Sequence, residues 1–137
     1  MKLVIDANII VAAYATDGII RKQWLFGFDE HEIVISPEIF IEIERSLRQK
    51  LFDLNVLEIA GILHDILDRC TLIRTTEEYH GDIADESDRA LVDVAITSQA
   101  DHIITGEHAL PGMKSIAGVS VVSLAAFMES VGSLSSA

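Results

Sequence analysis

Short runs rich in Val and Ile alternate along this chain with longer stretches of helical periodicity, and that alternation restricts the folds open to it. Apolar spacing switches repeatedly between about 2 and about 3.6 residues. Strands are expected near 2–5, 32–36, 71–74, 102–105 and 119–122, and helices near 7–15, 19–27, 37–51, 55–69, 87–100 and 124–131. The expected strands are short and rich in Val and Ile, as strands covered on both faces of a parallel sheet are. Ser36-Pro37-Glu38 sets a capping hydroxyl before a first-turn proline, and Asp85-Glu86-Ser87-Asp88 offers Asp85 or Ser87 as a cap. Strands alternating with helices through right-handed crossovers imply an α/β fold, a three-layer α/β/α sandwich around a parallel sheet. No repeat or linker divides the chain, so one domain is expected over 1–131, with a frayed tail over 132–137. Residues 76–87 are the most acidic and least periodic stretch and read as a surface loop.

Composition narrows the class. With 137 residues, half of them apolar, the chain can bury a proper core and is not disordered. No apolar run approaches the ~18 residues of a membrane span, and Asp6 and Asn8 interrupt the first one too early for a signal peptide. Cys70 is the only cysteine. No internal disulfide can form, a reducing cytoplasm is the simplest compartment, and Cys70 reads as a small core residue. Twenty-two acids against ten Lys and Arg give a net charge of −12, the wrong sign for long-range attraction to nucleic acid. That argues against a sequence-specific DNA binder and suits a basic polypeptide partner.

Acids stand where strands leave the sheet. Leu3-Val4-Ile5-Asp6-Ala7-Asn8 is a short strand ending in a carboxylate and an amide, and His102-Ile103-Ile104-Thr105-Gly106-Glu107 has the same kind of exit. The C-terminal ends of parallel strands meet at one edge, where ligands bind, so Asp6 and Glu107 can be neighbours despite their separation in sequence. Carboxylates gathered there call for a cation, and Mg²⁺ or Mn²⁺ suits all-oxygen ligands. Each acid also has a plainer reading. Asp6 and Asn8 suit a turn or helix N-cap. Asp88 shares a helix face with Val92, Ala95 and Gln99 but also sits in a first turn, facing the helix dipole; Arg89, Asp93 and Thr97 fall on the outer face, Asp93 solvated. Glu42 lies nearly opposite the stripe of Phe40, Ile43, Leu47 and Leu51, beside Glu38, Arg45 and Gln49, as a solvated residue would. That face becomes functional only if it overlooks the edge where Asp6 emerges, and Arg45 and Arg48 then meet a phosphate. Glu107 is equally a polar turn residue, with the Thr105 hydroxyl free to bond a neighbouring carboxylate. The five histidines show no metal-ligand spacing.

As an ordered set, these segments resemble the PIN-domain family of ribonucleases. Val4-Ile5-Asp6-Ala7-Asn8 resembles its opening strand-Asp-x-Asn, and Ser36-Pro37-Glu38-Ile39-Phe40-Ile41-Glu42 the segment of its second acid. Asp85-Glu86-Ser87-Asp88 with the following helix resembles its third-acid segment, and Ile103-Ile104-Thr105-Gly106-Glu107 its last strand exit. The branch most similar is that of the toxin components of toxin–antitoxin pairs. One departure is Glu107, where the family usually has Asp.

The resemblance implies five parallel strands in the order 3-2-1-4-5, and hydrolysis of RNA phosphodiester bonds with Mg²⁺ or Mn²⁺. It implies Asp6 and Asp88 as direct ligands, Glu42 as a ligand or water-orienting acid, and Glu107 completing the ring. Asn8 and Thr105 would fix carboxylate rotamers from behind, and Arg45 and Arg48 would contact RNA phosphate. It further implies a homodimer or larger and a basic antitoxin. Two alternatives stay open: a non-catalytic PIN-like interaction module, and a haloacid-dehalogenase-like phosphohydrolase. The latter also starts from strand-Asp but needs a second Asp where this chain has Asn8.

Overall fold

Val and Ile cannot stay in water over five separate runs, and the chain stacks them side by side. The computed structural model describes residues 1–106 and 109–135. In chain order the elements are β1 (Lys2–Ile5), α1 (Ala7–Ala15), α2 (Ile19–Phe26), β2 (Glu32–Ile35), α3 (Pro37–Lys50), α4 (Val56–Arg69), β3 (Cys70–Leu72), α5 (Glu86–Ser98), β4 (His102–Thr105), β5 (Ser115–Ile116), β6 (Val119–Ser123) and α6 (Leu124–Ser135). The expected elements are all present, most with ends moved by a residue or two. Helix α6 runs Leu124–Ser135, and positions 136 and 137 of the expected tail lie outside the described residues. No helix among the described residues is long and apolar enough to cross a membrane.

The sheet runs β3-β2-β1-β4-β6-β5. Its first five strands are parallel and in the expected order; the expected count of five is corrected to six. The addition, β5, pairs antiparallel with β6. Ala117 and Gly118 join the two with φ of 52° and 82°, the pair of left-handed residues that a two-residue hairpin requires. An Ala-Gly turn after a two-residue strand lacks the Asn-Gly or Asp-Gly cue, so the hairpin left little trace in the sequence.

Strands β1 and β4 hold the centre. Leu3, Val4, Ile5, Ile103 and Ile104 are fully buried, as the two-sided cover of a parallel sheet demands. Helix α3 buries Ile39, Ile43 and Leu47 at successive i, i+4 positions, with Ser36 Oγ accepting the Ile39 N–H at 3.3 Å as its cap. Helix α1 packs on α3, and α3 on α5, bringing the starts of these helices near the end of β1.

Residues 76–83 are not a free loop. Thr97 Oγ1 accepts the Thr76 and Glu77 N–H groups at 3.2 and 3.1 Å, and Asp93 accepts the Tyr79 N–H at 2.7 Å. Arg89 donates to the carbonyls of Tyr79, Gly81 and Ile83. The expectation that Asp93 is solvated is thus corrected: the face of α5 carrying Arg89, Asp93 and Thr97 binds a strap of backbone.

A polar knot ties α1, α2 and α4 together. Trp24 Nε1 donates to the Tyr14 hydroxyl at 2.8 Å, that hydroxyl donates to Asp65 at 2.5 Å, and Arg69 Nε donates to the same Asp65 oxygen at 3.1 Å. Cys70, half-buried beside the knot, has its thiol pushed up to about 12 by burial, so it stays protonated and inert at neutral pH. Tyr14→Phe removes the acceptor of a buried Trp24 and a donor to Asp65. Thermal unfolding of that variant is expected to show a loss of about 1 kcal/mol, roughly 3–5 °C in Tm.

Candidate functional site

From β1 the sheet grows one way through β2 and β3, and from β4 the other way through β6. Neighbouring connections therefore diverge between β1 and β4, and a crevice opens there at the C-terminal edge. The Asp6 N–H extends the β1–β4 pairing by bonding the Ile104 carbonyl at 2.9 Å. Its carboxylate is then held at both oxygens: Oδ1 accepts the Asn8 N–H at 3.1 Å and Oδ2 the Gly106 N–H at 3.3 Å. A Cβ at position 106 would stand 3.2 Å from Asp6 Oδ2, so the absence of a side chain there lets the two strand exits approach. Asp6 is 5% exposed. Burial pushes its carboxyl above the ordinary value of 3.8, the two N–H groups oppose that, and the charge of Asp85 adds to it.

Glu42 and Asp88 come to the same edge from α3 and α5. Glu42 is half-buried and shares a cleft wall with Ser87, whose hydroxyl favours its charged form. Burial raises its carboxyl, Ser87 lowers it, and the charges of Asp6, Asp85 and Asp88 raise it further. The solvated reading of Glu42 therefore fails: its side of α3 faces the start of α5. Asp88 Oδ2 accepts the Leu110 N–H at 3.1 Å. Burial raises the Asp88 carboxyl, the Leu110 N–H opposes, and Asp85 and Asp6 add to the rise. Glu107 lies outside the described residues.

Asp85 was read from the sequence only as a helix cap. It does cap α5, accepting the Asp88 N–H at 3.1 Å, yet its charge acts on Asp6, Glu42 and Asp88 alike. The Asp-x-x-Asp spacing at a helix start was the available signal, hidden because capping already explained it. The supporting residues also differ from expectation. Asn8 serves Asp6 through its backbone N–H and not its exposed amide. The Thr105 hydroxyl turns away from the carboxylates to the Val122 carbonyl at 3.3 Å, pinning β4 to β6, and the Gly106 N–H takes the expected role.

Between α3 and α5 an open cleft of about 470 Å³ borders Glu42 and Ser87 and includes Arg45 and Arg89. Arg48 points elsewhere, paired with Glu44 at 3.0 Å. None of Asp6, Glu42, Asp85 and Asp88 is in a salt bridge among the described residues. Among those residues, no three His, Cys, Asp or Glu side chains close into a group that could hold a metal ion. The acids thus form an open arc, not a finished cage. Their chemistry still fits a hard divalent cation: oxygen donors only, with mutual repulsion that no ion pair offsets.

Fold and site together define a parallel α/β protein with an acidic crevice at its topological switch point. Residues 2–109 match the family model described as PIN domain. The chain belongs to the PIN-domain family, whose members are nucleases. In fold it is similar to a chain from the crystal structure of VapBC2 from Rickettsia felis bound to a DNA fragment from their promoter. The TM-score is 0.64 at 15% identity, covering 90% of this chain and 98% of that one. No curated protein matches the chain in sequence.

The raised carboxyls predict a pH effect on the metal-free protein. Their folded values lie above the ordinary 3.8 of Asp and 4.5 of Glu, so between the unfolded and folded values the native state holds more protons. Stability contributed by these groups then falls as pH rises through that window, with the full penalty above it. Asp88→Asn keeps an acceptor for the Leu110 N–H but removes a charge. In EDTA it is expected to be as stable as the parent at pH 7 or more so, with a shallower loss of stability on raising the pH. An Asp88 that serves only as a first-turn acid facing the helix dipole gives the reverse, lower stability from weakened charge–dipole attraction; denaturant unfolding across pH decides.

Proposed function

We propose that this protein is a divalent-cation-dependent ribonuclease, the toxin of a toxin–antitoxin pair. The observation that carries the reading is the meeting of Asp6, Glu42 and Asp88 at the switch-point edge of a PIN-family chain. Asp6, Glu42 and Asp88 would hold Mg²⁺ or Mn²⁺, joined by Asp85 and by Glu107. The cation supplies polarisation of a phosphoryl oxygen and a more acidic water for in-line attack on the phosphodiester.

This chain's own groups set that chemistry up. The N–H groups of Asn8 and Gly106 fix the Asp6 rotamer, and the Leu110 N–H fixes Asp88. Glu42, beside the Ser87 hydroxyl on the cleft, would take a proton from water or hold a water in place. Thr105 acts one step back, locking β4 to β6 so that Gly106 stays against Asp6. Arg45, exposed on the cleft, meets an RNA phosphate; Arg48 contributes less because Glu44 neutralises it.

Incubating the protein with RNA and Mg²⁺ or Mn²⁺ tests the reading. Asp6→Asn and Asp88→Asn should each lower cleavage roughly a thousandfold, since several kcal/mol of transition-state stabilisation goes with a lost ligand. Either cation should also raise the Tm of the parent, by linkage worth about 2.7 kcal/mol at a hundred times its Kd. RNA binding without cleavage would favour an interaction module, and phosphate release from small monoesters with RNA intact a phosphohydrolase.

Arg45→Ala should weaken RNA binding and reduce the slope of log K against log salt by about 1, while Arg48→Ala changes it less; an unchanged slope for Arg45→Ala removes that residue from the footprint. The net charge of −12 suits a small basic antitoxin. Exposed Ile41, Phe52, Val56 and Leu57 on α3, α4 and the turn between them support association into a homodimer or larger, which light scattering at micromolar concentration reads. A cytoplasmic location completes the proposal.

A further inference from the structure

The acidic edge continues into a second hollow, of about 370 Å³, that the cleavage chemistry leaves unused. Asp85 and Asp88 border both. Asp82 adds a third acid at the rim, and the remaining lining is apolar, with Ile83 on one wall and Leu110, Pro111 and Met113 on the other. Its size falls within the ~300–1,000 Å³ of pockets for small organic groups.

Both walls are held in place. Arg89, through the carbonyls of Tyr79, Gly81 and Ile83, fixes the strap that carries Ile83. Leu110 sits at φ 47°, unusual for a branched residue. It is kept there by its N–H on Asp88 Oδ2 and a side chain only 3% exposed, a conformation that persists only where its surroundings over-determine it. Pro111 and Met113 remain exposed on this rigid turn.

The lining selects its occupant. No Lys or Arg borders the hollow among the described residues, and three carboxylates do, those of Asp82, Asp85 and Asp88, so an anionic group is repelled from it. A flat, uncharged, apolar body is accepted, and bases pack well against apolar side chains and a polarizable thioether. Because Asp88 belongs to both sites, a body seated there lies only a short link away from whatever the acids hold. A nucleotide has this construction: a neutral base one ribose away from its phosphate.

Resting on the ribonuclease reading, we propose that the hollow between Ile83 and the Leu110–Met113 turn seats the nucleobase next to the phosphate held at the acids. The test compares a short oligocytidylate with a base-free ribose-phosphate chain of equal length. Binding is read by fluorescence anisotropy with Ca²⁺ in place of Mg²⁺, so that it does not depend on cleavage. Met113→Ser, a surface change, should weaken the base-bearing strand about fivefold, the low end for loss of one base contact, and leave the base-free strand unchanged. Pro111→Ala should repeat the pattern in milder form. If Met113→Ser shifts both strands equally or neither, the base seat is overturned and the ribonuclease reading stands. If neither strand binds the parent protein with any divalent cation, both are overturned.

Discussion

Asp6 is asked to do two incompatible things, and most of the local structure resolves the conflict. Its N–H completes the central β1–β4 pairing at the Ile104 carbonyl, which fixes the residue deep in the sheet edge. Its carboxylate is thereby buried at 5% exposure with acids as neighbours. An ionised carboxylate in such a place is tolerated only if hydrogen bonds replace water. The Asn8 and Gly106 N–H groups do so, one from the start of α1 and one from the exit of β4. The helix start adds the partial positive charge of its free N–H groups. Fold and site therefore share one set of bonds, and the site's main carboxylate cannot turn away without loosening the strand pair beneath it.

Stability for this arrangement comes from elsewhere. Two carboxylates ~4 Å apart repel by roughly 4 kcal/mol at an effective dielectric near 20, and the acids here raise one another in addition to what burial does. Against this stand the fully buried strand residues of β1 and β4, the Ser36 and Asp85 caps, and the Tyr14–Trp24–Asp65–Arg69 knot. None of these is part of the acidic edge except Asp85. That residue is the exception that matters: it steadies α5 through its cap while adding charge to the cluster, so structure and repulsion meet in a single side chain.

The elements were readable because their causes are local. Val and Ile runs, the Ser36-Pro37 start and the i, i+4 stripe of Ile39, Ile43 and Leu47 act within a few residues, and α1 through α5 appear close to where periodicity sets them. The order of the parallel strands came from the family likeness and not from periodicity. What local cues could not reveal was set by contacts across the chain. Glu42 looked solvated on its own helix because a wheel knows nothing of Ser87 on another. Asp93 looked solvated for the same reason, whereas the strap over α5 supplies Tyr79 as a partner some 14 residues away. Thr105 was expected to face an acid, but strand pleating gives its hydroxyl to β6 and the next N–H to Asp6. The hairpin of β5 escaped because an Ala residue occupies the first left-handed position, where Asn or Asp would have marked it.

A net charge of −12 sits uneasily with the proposed polyanionic substrate until distance is considered. At physiological salt the Debye length is about 8 Å, so acids on far surfaces act weakly on a phosphate at the switch-point edge. The charges that count are the local ones: the acidic arc, Arg45 on the neighbouring cleft, and Arg89, whose guanidinium is engaged by three carbonyls. Without a cation that arc presents only negative charge and turns phosphate away. With one bound, part of that negative charge would be offset and the cation itself would attract phosphate, while the hollow beyond Asp88 stays largely apolar and acidic-rimmed. On the proposed ribonuclease reading the cation is thus a condition for substrate entry as well as for hydrolysis, and the base, not the backbone, is what the second hollow can hold.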